Sequence, residues 1–260
     1  MPTEIGYIEY VLTHSVDAER YADTWRVSGA YSVNDELDEP FLLGPSAEWD
    51  MAVCIKGRDD FIGGFLHGDE KVTGLTLKID GVEKEITSLT DPTPFDELRM
   101  TVSADGFDPA DHVTKVLIHD KEYIINADGV AIEQRVEWLR GFALESCFLA
   151  MLPPYKNLTD TYYTDIDPVH RPIESSNFRV PGARAATLYG KESGYSFSFA
   201  VPKYPYYESG QIFFVSDNSG RPYNKMYLPV CRGGEVNGGD VWESRTEYNI
   251  ERRDPCHEIK

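Results

Sequence analysis

The chain has 260 residues, 41% hydrophobic and 27% charged, a balance that suits a globular protein with its own core, needing neither disulfides nor metal. Its formal net charge is −19, which argues against nucleic acid and anionic membranes as partners, since both require a positive footprint. The first 130 residues hold 27 acidic and 10 basic side chains, the rest 17 and 15, so an anionic ligand would have to use the second half.

The N-terminal Met1-Pro2-Thr3-Glu4-Ile5-Gly6 has no basic region and no apolar run, and no stretch of about 18 apolar residues follows. The expectation is an extracellular or phage-borne protein, with a cytosolic one as the alternative. Gly6 to Leu12 alternates as a first strand. Asp17 to Tyr31 is ambiguous. Asn34 to Glu39 is an acidic loop closed by Pro40, and Glu48 to Lys56 reads as a strand holding the apolar Cys54.

The run from Phe61 to Glu70, with Gly63, Gly64, His67, Gly68 and Asp69, gathers glycines, an imidazole and carboxylates in one short turn. Such a histidine can work as general acid or base; a solvated turn is the plainer reading. Val72 to Ile79, Asp80-Gly81 and Val82 to Thr87 form the strongest hairpin signal in the chain. Leu98 to Ala104, His112 to His119, Lys121 to Asn126 and Val130 to Arg140 read as further strands, the middle two separated at Asp120. Asp105 to Asp111 is acidic and turn-like but lacks EF-hand spacing. A structural calcium ion there has no motif behind it, and no cofactor is expected.

Phe142 to Leu152 fits a short helix or a buried strand, and Pro153-Pro154 ends it. Residues 156–182 read as one long polar loop. Ala185 to Tyr189, Tyr195 to Pro202, Gln211 to Ser216, Lys225 to Val230 and Trp242 to Ile250 complete about a dozen short strands. The expected architecture is all-β: a single domain over residues 1–260, an antiparallel β-sandwich of jelly-roll type with at most one or two short helices. The four cysteines have no metal-binding spacing, and their number leaves open whether any are paired.

Two segments share the pattern Glu-x-Arg-x-Glu-aromatic: Glu133, Arg135 and Glu137 before Trp138, and Glu243, Arg245 and Glu247 before Tyr248. On a strand these three charges share one face. The expectation is either a polar groove for sugar hydroxyls, with paired carboxylates as a possible acid and base for glycoside hydrolysis, or exposed ion-pair ladders. Tyrosines are concentrated in the second half; Tyr206 and Tyr223 are candidates to stack on sugar rings. Lys225 and Tyr227 would share a strand face, where a cation favours the phenolate of a tyrosine acting as acid or base.

Many short strands, a polar face with Gln134 and Arg135, the candidate His67 and exposed tyrosines together resemble the β-jelly-roll polysaccharide lyases. That resemblance implies β-elimination on a uronate-containing glycan. Gln134 and Arg135 would neutralise the carboxylate, and His67 or Tyr227 would remove the proton. The family's Arg-x-Glu-x-Arg signature is present only as the fragments Arg135-x-Glu137 and Arg245-x-Glu247. The rival expectation is a non-catalytic glycan-binding or receptor-binding module.

Overall fold

The computed structural model describes residues 2–3, 6–33, 41–44, 49–89, 93–174, 177–205, 211–215 and 220–252. It is an all-β sandwich of two unequal sheets. The strands run β1 (Pro2–Thr3), β2 (Gly6–Asp17), β3 (Ala22–Val33), β4 (Phe41–Leu42), β5 (Ala52–Ile55), β6 (Glu70–Ile79) and β7 (Val82–Lys84). Then come β8 (Glu97–Phe107), β9 (Lys115–Asn126), β10 (Gly129–Trp138), β11 (Phe142–Leu152), β12 (Thr161–Thr164), β13 (Arg171–Pro172) and β14 (Phe178–Pro181). The chain closes with β15 (Ala185–Tyr189), β16 (Tyr195–Lys203), β17 (Gln211–Val215), β18 (Lys225–Arg232), β19 (Glu235–Val236) and β20 (Val241–Arg252). The one α-helix among the described residues, α1, is the four-residue turn Gly64–His67.

The large sheet has the order β1-β2-β3-β6-β8-β9-β10-β20-β16-β15-β12-β13, with β4 on β3 and β7 on β6. The smaller one runs β14-β17-β18-β11-β19, with β5 on β11. Strand β20 is the keystone of the large sheet. It inserts between β10 and β16 and so joins strands from the two halves of the sequence.

Alternation decides which face each residue takes. On β10, Val130, Ile132, Gln134, Val136 and Trp138 turn inward and are buried. On β18, Met226, Leu228 and Val230 turn inward to meet them. Hydrogen bonds cross the gap: Gln134 Nε2 donates to the Leu149 carbonyl at 2.6 Å, and the Tyr248 hydroxyl reaches the Trp49 carbonyl at 2.5 Å.

Several expectations need correction. His112–His119 and Lys121–Asn126 are not two strands: β9 runs through Asp120 without a break. The charge does not end the strand because it faces outward, where the Ser103 hydroxyl donates to it at 2.7 Å. Phe142–Leu152 is a strand, gripped by β5 and β18 on its two edges. The ambiguous stretch after Asp17 is β3, with buried and half-buried residues in near alternation. Residues 156–182 are not one loop, for β12, β13 and β14 lie within them. The hairpin at Asp80-Gly81 is present, with Ile79 opposite Val82 and both turn residues at positive φ, 50° and 77°, the geometry of a type I′ turn.

Candidate functional site

The structure sorts the candidate residues into three places. The first is the outer face of the large sheet. There β10 and β20 run antiparallel with Glu133 opposite Arg245 and Arg135 opposite Glu243. The two Glu-x-Arg-x-Glu segments are therefore neighbours, in a register that sets carboxylate against guanidinium. Arg245 bonds Glu133 across the strands and holds Glu247 along its own strand at 2.8 Å. Arg135 reaches Glu137 at 2.8 Å and Asp120 of β9 at 4.0 Å, while Lys203 takes Glu243 at 2.7 Å. The bond from Lys203 holds the Glu243 carboxyl below its ordinary range, and the bonds to Glu247 and Glu133 hold the Arg245 guanidinium above its own.

Asp120, Glu133, Arg135, Lys203, Glu243 and Arg245 line a shallow groove of about 310 Å³ that also takes in Thr101 and Glu122. A second hollow, of about 460 Å³, adjoins it at Arg245. Ala131, Ala185 and Ala200 pave it, and Asn126, Asp128, Ser198, Glu247 and Asn249 supply polar groups. Register explains the paving: Ala131 faces Glu247, Glu247 faces Ala200, and Ala200 faces Ala185 across four adjacent strands. The small side chains leave the sheet low there, so the two hollows make one open trough.

The second place is the outer face of the smaller sheet. Tyr227 packs against Phe148 with ring centroids 4.8 Å apart, and Lys225 Nζ lies 5.4 Å from its ring centre. Phe148 lies 6.4 Å from Phe61, which sits 4.9 Å from the His67 ring. His67 and Tyr227 thus stand at the two ends of one aromatic row. His67 Nδ1 is 2.9 Å from Asp60 Oδ1, and Arg221 donates to the Tyr223 hydroxyl at 3.2 Å. Burial pushes the Tyr227 phenol up, against the pull of Arg232, Arg221 and Arg179, and pushes Lys225 down to about 8. The cations acting on the Tyr227 phenol are thus arginines rather than Lys225, and loss of solvent outweighs them. Tyr206 lies outside the described residues.

The third place is the interior between the sheets. Gln134 points there, away from Arg135, and belongs to a sealed polar network. Lys121 Nζ donates to Asp50 at 3.0 Å and Glu70 at 3.1 Å. His119 Nδ1 is 2.9 Å from Glu70 Oε1, and its Nε2 is 3.2 Å from Gln134 Oε1. The Tyr123 hydroxyl donates to Asp50 at 2.8 Å, and the Gly64 amide donates to Glu70 Oε2 at 2.8 Å. Burial pushes Glu70 up, but Lys121, His119 and the Gly64 amide together hold it well below the carboxylate range. Side chains at 0–6% exposure cannot meet a substrate, so this network is structural cement.

The lyase constellation is accordingly not assembled. Consecutive strand residues take opposite faces, so Gln134 and Arg135 cannot flank one carboxylate. Tyr227 and Arg135 lie on opposite outer faces of the sandwich. Sequence reading also missed the buried network. Its signal is parity: His119 and Lys121 share the face of Tyr123 and Ile125, a face with core residues.

No known sequence family matches this chain, and no curated protein does. Among solved structures, it resembles a GH36 α-galactosidase from Geobacillus stearothermophilus at 12% identity with a TM-score of 0.52. That likeness covers 96% of this chain but 40% of the α-galactosidase chain. A Synechocystis protein is similar at 11% identity and a TM-score of 0.49, covering 96% of this chain and 98% of its own. An Escherichia coli protein described as an aldose 1-epimerase follows at 12% identity and 0.45, over 87% of this chain and 92% of its own. What is shared with the α-galactosidase at such identity is the fold: this sandwich is an architecture found in a carbohydrate-active enzyme.

Proposed function

We propose that this protein is a sugar-binding domain that holds a neutral glycan along the trough on the outer face of its large sheet. The observation that carries the reading is the register of β10 against β20, which turns two separated sequence segments into one lattice of carboxylates and guanidinium groups above an alanine floor. Such groups, fixed by one another, present hydrogen-bond partners at the spacing of sugar hydroxyls without losing much side-chain freedom on binding. The architecture shared with an α-galactosidase supports a galactoside among neutral glycans.

Charge favours a neutral ligand over a uronate polymer. Asp120, Glu122, Asp128, Glu133, Glu243 and Glu247 line the trough against three outward cations, Arg135, Lys203 and Arg245. A polyanion would be repelled there and by the net charge of −19. Elimination chemistry draws no support from residues placed on opposite faces.

Calorimetric titration with α-galactosyl oligosaccharides and, separately, polygalacturonate tests the reading. Binding of the neutral sugar is expected, weakened about 10-fold or more by Arg245→Ala, since a hydrogen bond to a charged group contributes roughly 1.5–3 kcal/mol. The fold should persist in that variant, because an exposed ladder contributes about 1 kcal/mol or less. Indifference of the neutral sugar's affinity to Arg245→Ala, or no affinity for neutral oligosaccharides at all, refutes the trough. Ultraviolet-absorbing unsaturated product from polygalacturonate would restore the lyase reading.

A further inference from the structure

We propose that Cys147 and Cys231 form a reversible cross-strand disulfide, a redox modification site that staples the middle two strands of the smaller sheet. The proposal is independent of sugar binding.

Cys147 on β11 and Cys231 on β18 are direct partners in the antiparallel register. Directly opposed residues in such a pair have Cα atoms about 4.5–5.5 Å apart, inside the window of about 4.4–6.8 Å that a disulfide requires. The register therefore brings the two residues within disulfide reach. Both thiols are free, and each shifts the proton affinity of the other. A bulge follows immediately, between Cys147 and Phe148. The pair therefore sits where the regular ladder ends, and the crosslink would lock the register on one side of that irregularity.

The two thiols are unequal. Cys147 is fully buried, while Cys231 is half-buried and beside the exposed Arg232. The neighbouring Cys147 lowers the Cys231 thiol, and burial raises that of Cys147. Cys231 is thus the attacking sulfur and Cys147 the resolving one. With a hydroperoxide as oxidant, the Cys231 thiolate attacks a peroxide oxygen. The O–O bond breaks, water or an alcohol departs, and Cys231 becomes a sulfenic acid. The Cys147 thiol then attacks that sulfur, and its proton joins the leaving hydroxide as water. The two thiols have lost two electrons and two protons, and the peroxide has taken both. A dithiol reductant reverses the bond by exchange.

Cys54 is the near alternative, on the other neighbour of β11. The pleat rules it out: Cys54 faces Ser146, while Cys147 faces Val53, so Cys54 and Cys147 project to opposite sides of the sheet.

The full chain, reduced and then treated with hydrogen peroxide, should lose two alkylatable thiols and two mass units. Its peptide map should join Cys147 to Cys231. Dithiothreitol should restore both thiols, and the oxidised protein should melt at higher temperature than the reduced one. Cys54→Ser should behave as wild type, whereas Cys231→Ser should show neither crosslink nor rise in melting temperature. In Cys147→Ser the reaction should stop at a Cys231 sulfenic acid trapped by dimedone. If that buried variant does not fold, Cys231→Ser and the wild-type map decide the question alone. A crosslink through Cys54 or Cys256, or Cys231 driven to sulfinic acid while Cys147 remains a free thiol, overturns the proposal.

Discussion

Lys121 and Lys225 carry the same side chain out of water with opposite results. Lys121 has Asp50 and Glu70 at hydrogen-bond distance, and although burial opposes its charge, the two carboxylates raise its affinity for the proton. For Lys225 burial dominates and brings the ammonium down to about 8. The sign of the linkage follows. Between about pH 8 and the unfolded value near 10.5 the unfolded chain binds more protons at this site, so this group makes stability rise with pH across that window. Below pH 8 the full penalty applies, roughly 3–4 kcal/mol. Lys225→Met should therefore be more stable than wild type in urea at pH 7, with the advantage shrinking by pH 10. An advantage that is the same at both values would show that charge is not its cause. Parity was legible here from the sequence, since Lys225 and Tyr227 do share a face; the burial of that face was not, because nothing local to the two residues states it.

At the scale of elements, turn chemistry was readable where one dipeptide fixes it and unreadable where distant backbone decides. Asp80-Gly81 demands positive φ at both residues and forms the hairpin with no help from elsewhere. The turn Gly64–His67 is set from outside. Gly68 has φ of 91°, and a Cβ on it would lie 1.8 Å from the Arg20 carbonyl oxygen. The same carbonyl accepts from the Asp69 amide at 3.0 Å. The glycine is what lets the β2–β3 turn close over the start of β6, and so places Glu70 in the core and His67 beside Phe61. Gly57 is a fair control: its φ is 79°, yet a Cβ there meets nothing within 4 Å. Gly57→Ala should cost only the left-handed conformation, about 1–2 kcal/mol. Gly68→Ala should cost clearly more in chemical denaturation, since strain and a backbone clash add. Equal losses would mean that the close approach to Arg20 is not a constraint.

For the whole molecule, apolar packing binds the two sheets, and among the described residues a buried ionic knot on the large sheet reaches across to Asp50 beside β5; the knot is what composition hides. The period-2 pattern exposed the outer lattice, because both Glu-x-Arg-x-Glu segments announce a polar face. It could not reveal that β10 and β20, about 110 positions apart, are neighbours, nor that His119 and Lys121 find their partners on β6 and beside Trp49. Glu70 is the knot's centre, accepting from Lys121, His119 and the Gly64 amide at once. Its carboxyl is held below the unfolded value near 4.5, so its contribution is present above that pH and is lost as pH falls toward the folded value. Glu70→Gln would leave the buried Lys121 ammonium with Asp50 as its one remaining carboxylate among those it bonds here. Breaking such a pair by removing one partner costs about 3–5 kcal/mol. The variant should therefore unfold at markedly lower urea near neutrality. Its stability relative to wild type should begin to recover below about pH 4, because the unfolded wild-type chain then binds a proton that the folded Glu70 carboxylate still refuses. A deficit that stayed constant from pH 7 to pH 3 would show that shape or packing at position 70, rather than its ionisation, is what the variant loses.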